Sequence, residues 1–198
     1  SVQIPFKDVW HILWGDYNGN EIWQNIIWKS RVPQALTALV AGAGLSVSGL
    51  QMQTVFRNPL AGPSVLGISS GASMGVAFVV LLSGTLGGVA LSKVGIMGEI
   101  ALTISAIIGS LSIMALIVFV SQKVKGNVTL LIIGVMIGYV ANAVIGVLKY
   151  FSVEEDIRAY VIWGLGSFAR VSGNQMTLFV SIMLVLLPVS FLLVKTLN

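Results

Sequence analysis

Two overlapping serine motifs are the first residues whose types and spacing invite a chemical reading. Gly67-Ile68-Ser69-Ser70-Gly71 and Gly71-Ala72-Ser73-Met74-Gly75 both spell G-x-S-x-G, the elbow on which serine hydrolases expose their nucleophile. That chemistry needs a strand-to-helix turn and a histidine base. The single histidine, His11, sits in a polar segment near residue 1, whereas an intramembrane serine protease would want one inside a span. Ser69 and Ser73 read more simply as small residues in a tight helix contact, and an intramembrane hydrolase is the least favoured reading. Glu154-Glu155-Asp156 reads as the acidic start of a helix, where the macrodipole favours negative charge. Glu99, close to Ser92, Lys93 and Gly95, reads as a wet terminal group that Lys93 can reach, not as a proton carrier. The chain has no cysteine, which removes disulfides and thiolate metal sites. Neither His-x-x-His nor carboxylate pairs occur at metal-ligand spacing. No G-x-x-x-x-G-K-[ST] string occurs either, so any ATP dependence must come from a partner.

The elements that would position these groups follow from composition. Of 198 residues, 56% are hydrophobic and 9% charged, with a mean hydropathy of +0.95. A soluble domain carries roughly a quarter charged residues, so this is a membrane protein. About 20 apolar residues cross a hydrocarbon core as helix. Residues 33–56, 58–92, 100–122, 126–148 and 171–194 are free of charge and long enough. The runs are continuous, without the period-2 alternation of a transmembrane barrel. In lipid, continuous runs of this length satisfy their backbone as helices.

The expected fold class is therefore all-α: a polytopic bundle forming one domain over 1–198, with spans near 33–56, 63–83, 99–122, 127–150 and 174–195. Residues 1–30, with tryptophans at 10, 14 and 23, read as a polar segment at a membrane face, where Trp and Tyr concentrate. Residues 154–163 begin with acids and end at Gly164-Leu165-Gly166-Ser167. They predict a short interfacial helix, with an ordered surface loop as the alternative.

Charge leaves orientation open. All seven acids fall on the side that holds residue 1, facing only Arg57, Lys123, Lys125 and Lys195 across the membrane, which would place residue 1 outside. By Lys and Arg count the residue-1 side has seven against four, and that count is the proper form of the rule. A net charge of +4 and an isoelectric point near 9.6 do not imply nucleic acid, because the basic residues are scattered over loops and ends without a cluster.

Small residues supply the remaining pattern. Gly67, Gly71 and Gly75 recur every four residues, a stripe that lets another helix approach closely. Gly134, Gly138, Asn142 and Gly146 repeat in the same way in the fourth span. Asn142 there either lines a pathway or makes one interhelical hydrogen bond. Pro59, Pro63 and the neighbouring glycines would also suit a helix broken at a midplane site, as in a secondary transporter. That rival predicts uptake driven by an ion gradient, and it is weakened by the shortage of ionisable residues within the spans.

Several strings together resemble a known family. These are Arg31-Val32-Pro33, Gly42-Ala43-Gly44-Leu45, Ser48-Gly49-Leu50-Gln51, and above all Asn58-Pro59-Leu60-Ala61-Gly62-Pro63 followed by Leu66-Gly67 and Gly71-Ala72. They resemble the FecCD-type permeases of ABC importers for iron-siderophores, haem and cobalamin. Further matches run through Leu130-Leu131, Gly134 and Trp163-Gly164-Leu165-Gly166-Ser167 to Lys195-Thr196-Leu197-Asn198.

The resemblance implies an inner-membrane, multi-pass permease subunit that is not itself an enzyme. Its partners would be a second permease copy (most simply a homodimer), two cytoplasmic ATPase subunits that carry ATP and Mg, and a periplasmic substrate-binding protein. Membrane lipid surrounds it, and no cofactor, metal or nucleic acid is expected on this chain. On the family pattern of about ten helices, the chain would lack the first, hold the second to sixth and stop before the segment that receives the ATPase, with residue 1 outside.

Roles then carry over by position. Arg31 matches the first arginine of the family's R-x-P-R and would dock the binding protein; Gln34 replaces the second, and Lys29 could compensate. Asn127, Val128 and Thr129 would sit at a cytoplasmic gate, with Gly134, Gly138 and Asn142 further along the pathway. Trp163, Gly164, Gly166 and Ser167 would belong to a periplasmic gate. A tryptophan common soon after that segment is replaced here by Gly173 or Asn174.

Overall fold

The protein is described by a computed structural model over residues 2–17, 19–85, 96–124, 126–168, 171 and 173–194. Among these the chain is helical, with no strand. The expected reach of Lys93 to Glu99 and the family match at 195–198 lie outside the described residues. In chain order the helices are α1 (Phe6–Trp14), α2 (Glu21–Ile26), α3 (Val32–Phe56), α4 (Ile68–Thr85), α5 (Ile96–Ser121), α6 (Asn127–Phe151), α7 (Glu154–Gly164) and α8 (Gly173–Val194). A π-helical turn, Ile27–Arg31, joins α2 to α3 without a break.

Four helices are long and apolar enough to cross a membrane: Glu21–Phe56, Gly98–Ser121, Asn127–Phe151 and Gln175–Leu192. A shorter apolar helix, Ile68–Leu82, makes a fifth. Four of the expected spans agree with α3, α5, α6 and α8 to within a few residues at their described ends. The fifth does not start at 63. Residues 62–67 form turns closed by Val65 N–H to Gly62 O (3.0 Å) and Gly67 N–H to Ser64 O (3.1 Å). Gly67 has φ 74°, a left-handed backbone that no α-helix continues through. Pro63 therefore sits in the turn, and α4 begins one residue after the glycine.

The chain forms two compact units, one comprising Ser1–Val47 with Ser167–Asn198 and the other Ser48–Gly166. In the first, α1 ends at Gly15 in a left-handed turn (φ 83°), and Asn20 caps α2 by accepting from Ile22 N–H at 2.9 Å. Ile12 and Ile27 are the largest fully buried side chains here among the described residues. Met183 of α8 occupies the space beside Gly44 of α3 where a β-carbon would stand. Pro188 lies inside α8, which a transmembrane helix tolerates better than a soluble one.

The second unit holds two apolar cores. Phe56, Ala61, Leu66, Ile113, Ile117 and Leu131 form one, binding the loop between α3 and α4 to α5 and α6. Val76, Ala77, Val80, Leu81, Ile145 and Tyr160 form the other, joining α4, α6 and α7.

Candidate functional site

The loop from Arg57 to Gly67 does more than turn the chain at a membrane face. Its first residues close the end of α3. Asn58 N–H bonds Gln53 O (3.1 Å) and Arg57 N–H bonds Thr54 O (3.2 Å), while Asn127 Nδ2 donates to Val55 O (3.2 Å). Three carbonyls that α3 would leave unpaired are thus used. Asn58 Oδ1 accepts from Leu60 N–H (2.9 Å) to tighten the turn.

The loop then runs inward along α6. A β-carbon on Gly134 would meet Leu66 Cα at 2.9 Å, and one on Gly67 would meet Gly134 O at 2.9 Å and Gly138 N at 3.2 Å. Gly134 and Gly138 lie seven and eleven residues into α6, about 10 to 17 Å along its axis. Irregular backbone is tolerated at such depth only where protein covers it or a cavity takes it; Ala61 and Leu66 are buried accordingly.

The stripe Gly67, Gly71, Gly75 therefore serves two partners instead of one. Gly67 lies against α6, whereas Gly71 and Gly75 lie against α5. A β-carbon on Gly71 would come 2.7 Å from Gly109 O, and one on Gly75 would overlap Ser105 O. Gly109 completes this seam, and a methyl there would strike Gly71 O. The sequence reading missed Gly109, although the i, i+4 spacing of Ser105 and Gly109 is a small-residue signal of the same kind.

Beside the loop, Ser64, Val65, Gly67, Ser70, Val135, Gly138, Tyr139 and Asn142 line an open cleft of about 170 Å³. Hydroxyls and one amide supply its polarity, and no charged side chain lines it. Gly138 is open enough that a methyl would come 3.4 Å from Ser70 Oγ. Of the pathway residues expected on α6, Gly138 and Asn142 meet in this cleft, while Gly134 is consumed in packing against Leu66. Ser64, Ser70 and Tyr139 are additions that the sequence reading did not assign to the pathway. Another side of α6 is apolar: Ile133, Met136, Ile137, Val140 and Ala141 line a cavity of about 330 Å³ with Met74, Ile113 and Leu116.

At the start of α6, Val128 and Thr129 are exposed and Asn127 holds the end of α3, so these three share a terminus without forming a cluster of their own. Beyond the other end of α6, α7 packs along α4. Ser152 Oγ lies 2.6 Å from Leu148 O and 3.0 Å from Leu81 O. Eight residues later the Tyr160 hydroxyl stands by that of Ser73, eight residues back along α4. The two helices therefore run antiparallel for about 12 Å. Lys149 Nζ lies 4.8 Å from the centre of the Tyr160 ring, and the Trp163 ring lies 6.3 Å from it.

Of the three acids that open α7, Glu154 and Glu155 are exposed and Asp156 is buried, its Oδ2 without a hydrogen-bond partner among the described residues. Gly164 and Gly166 are exposed, and Gly166 has φ 63°. Ser167 is exposed and belongs to the other unit.

In that unit, Lys29 and Arg31 are exposed, and Arg31 Nη2 donates to Val2 O at 2.7 Å. Gln34, in the place of the family's second arginine, donates to Ser30 Oγ at 2.9 Å. Ser69 is the second residue of α4 and Ser73 the sixth. Neither stands on a strand-to-helix elbow, and the hydrolase geometry is absent at both.

Known proteins resemble this chain in sequence and in fold. The FecCD transport family matches over residues 1–198. The vitamin B12 import system permease protein BtuC of Serratia proteamaculans (strain 568) is 36% identical over 181 residues, covering 91% of this chain and 50% of that protein. The hemin transport system permease protein HmuU of Yersinia pestis is 32% identical over 199 residues, covering 100% and 56%. A solved structure described as "an inward-facing conformation of a putative metal-chelate type ABC transporter" superposes with a TM-score of 0.74 at 30% identity, covering 92% of this chain and 55% of that one. The chain spans about half the length of the curated relatives it matches. With the family matching over residues 1–198 and the fold agreeing at this identity, the chain belongs to the FecCD transport family.

Proposed function

We propose that this chain is part of the transmembrane permease subunit of an ATP-binding-cassette importer. Its cargo would be an iron chelate (siderophore or haem) or cobalamin, carried across the inner membrane. The observation that carries the reading is the family match over the whole chain together with an uncharged, hydroxyl-lined cleft on α6. A cleft of about 170 Å³ is smaller than the roughly 300 to 1,000 Å³ of a small-molecule pocket. It suits one wall of a wider path, the other wall coming from a second permease copy.

Chelates are bulky and present many polar atoms. Ser64, Ser70, Tyr139 and Asn142 can exchange hydrogen bonds with them in passing without the deep well that a charged pocket would create. Asn127, Val128 and Thr129 would stand at the cytoplasmic end of the path. Trp163, Gly164, Gly166 and Ser167 would stand at the periplasmic end, and Lys29 and Arg31 would face the binding protein. ATP and Mg would be held by two partner ATPase subunits, and residue 1 would lie outside.

The test is uptake by the full-length protein in vesicles with its ATPase and binding protein, offered cobalamin, haem and a ferric siderophore separately. Accumulation of one of them that stops when ATP hydrolysis is blocked is expected. Uptake that persists without ATPase activity and follows an imposed ion gradient would overturn the proposal. The cleft lining carries no carboxylate or histidine to relay a proton, which weighs against proton coupling.

A further inference from the structure

The helix α1 carries apolar side chains on two sides. Ile12 is 1% exposed and turned into the protein, whereas Phe6, Trp10, Leu13 and Trp14 are 81%, 52%, 41% and 72% exposed. At about 100° per residue these four fall within an arc of about 100°. Trp10 and Trp14 meet edge to face at 5.4 Å, which holds them on that arc. So much aromatic surface on one short helix marks a contact, not a solvated face.

What covers the arc follows from where α1 is tied. Arg31 Nη2 donates to Val2 O, so the chain four residues before α1 is fixed to the point where the π-helical turn enters α3. The helix running from Glu21 to Phe56 is a membrane span, and Arg31 lies in its polar first third. Trp28, one turn before Arg31, is itself 51% exposed. Tryptophan concentrates at the level of the lipid headgroups. Trp10, Trp14 and Trp28 therefore lie close to the depth at which the span leaves the hydrocarbon. Lys7, exposed at the edge of the arc, can lay its stem on the apolar surface and send its ammonium to lipid phosphates.

We infer that α1 is an in-plane membrane anchor: Phe6, Trp10, Leu13 and Trp14 insert into the headgroup and upper acyl region of the leaflet on the residue-1 side. It lies on the bilayer and does not cross it, as amphipathic helices of this kind do. The anchor would fix the outer end of the Glu21–Phe56 span against rotation and sliding. This does not depend on which cargo the protein carries.

The test uses the full-length protein in phosphatidylcholine vesicles, with nitroxide labels placed one at a time through Phe6→Cys, Leu13→Cys and Asp16→Cys. The 198 residues contain no other cysteine, and any beyond them would be replaced. Labels at 6 and 13 are expected to collide readily with oxygen and to be shielded from a water-soluble nickel chelate, and the label at 16 to do the reverse. Nickel reaching 6 and 13 as freely as 16 would overturn the inference. So would labels at 6 and 13 that are immobilised and closed to both reagents, which would mean a protein partner or a second copy on this face. Unlabelled protein gives an independent reading. Brominated lipid should quench wild-type tryptophan emission more than that of the Trp10→Phe/Trp14→Phe variant; equal quenching would also overturn it.

Discussion

At Gly75 there is no room for a single methyl group, because a β-carbon would overlap the Ser105 carbonyl, and Gly109 faces Gly71 in the same way. Backbone cannot retreat as a flexible side chain can, so α4 and α5 must separate. Gly75→Ala and Gly109→Ala should each lower stability by about 1 to 3 kcal/mol, the usual cost of overpacking. Gly146→Ala should be nearly neutral, since nothing lies within 4 Å there. Thermal unfolding of the purified protein in one detergent separates the two classes. The glycine spacing was legible in the sequence, but its partners were not, because a repeat of four marks a face without saying which helix meets it. Gly67 went astray for a local reason: its positive φ removes it from the helix whose stripe it seemed to extend. Arg57, with φ 47°, is the non-glycine counterpart. The left-handed backbone costs a residue with a β-carbon about 1 to 2 kcal/mol, of which glycine's extra unfolded-state freedom offsets about 0.5 to 1. Arg57→Gly should therefore stabilise by roughly 0.5 to 1 kcal/mol, and Arg57→Ala should not. A melting temperature unchanged or lowered in the glycine variant would mean that the guanidinium contributes more than the backbone loses.

Among the elements, α7 shows what the chain's local signals can and cannot say. Its start is marked by Glu154, Glu155 and Asp156 and its end by Gly164 and Gly166, and the expected helix over 154–163 is present one residue longer. Its partner is set by tertiary packing that no local pattern encodes. Tyr160 enters the core of Val76, Ala77, Val80 and Leu81, and its hydroxyl stands by that of Ser73, close enough for the two to interact. The serine that imitated a hydrolase nucleophile thus has a structural partner. The same limit explains the loop 57–67. Its prolines and asparagine announce a turn, but only the paired glycines of α6 reveal that the turn is sunk between helices. Removing the phenol hydroxyl in Tyr160→Phe should cost about 1 kcal/mol, the net value of one hydrogen bond, and Tyr160→Ala about 3 to 5 kcal/mol from loss of the buried ring. Hydrogen exchange should show the loss at the amides of α7 before those of α5. A double-mutant cycle with Ser73→Ala should give a coupling of at least about 0.5 kcal/mol, as expected for residues in contact. Additive effects would mean that the Ser73 contact contributes nothing to holding α7.

For the molecule as a whole, α6 organises the second unit, because it presents different faces to different surroundings. Gly134 and Gly138 take the sunken loop, while Met136 and Val140 edge the apolar cavity. Val128, Ile132, Val135, Tyr139 and Asn142 recur at alternating steps of four and three, one stripe of the exposed face of α6, and the last three of them line the polar cleft. If the cleft is a wall of the transport path, water reaches that stripe and lipid or protein covers the rest. The natural absence of cysteine from these residues makes the division measurable. Val135→Cys and Asn142→Cys, made singly in the full-length protein in intact membranes, should react with a charged, membrane-impermeant thiol reagent. Met136→Cys and Val140→Cys should not, since a thiol in an apolar setting stays protonated and unreactive. Filling the cleft with Asn142→Trp should then block uptake while leaving the protein folded, because the substituted position is exposed and no buried contact is lost. Equal reactivity at all four cysteines, or full transport by the tryptophan variant, would place the path on another face of the bundle.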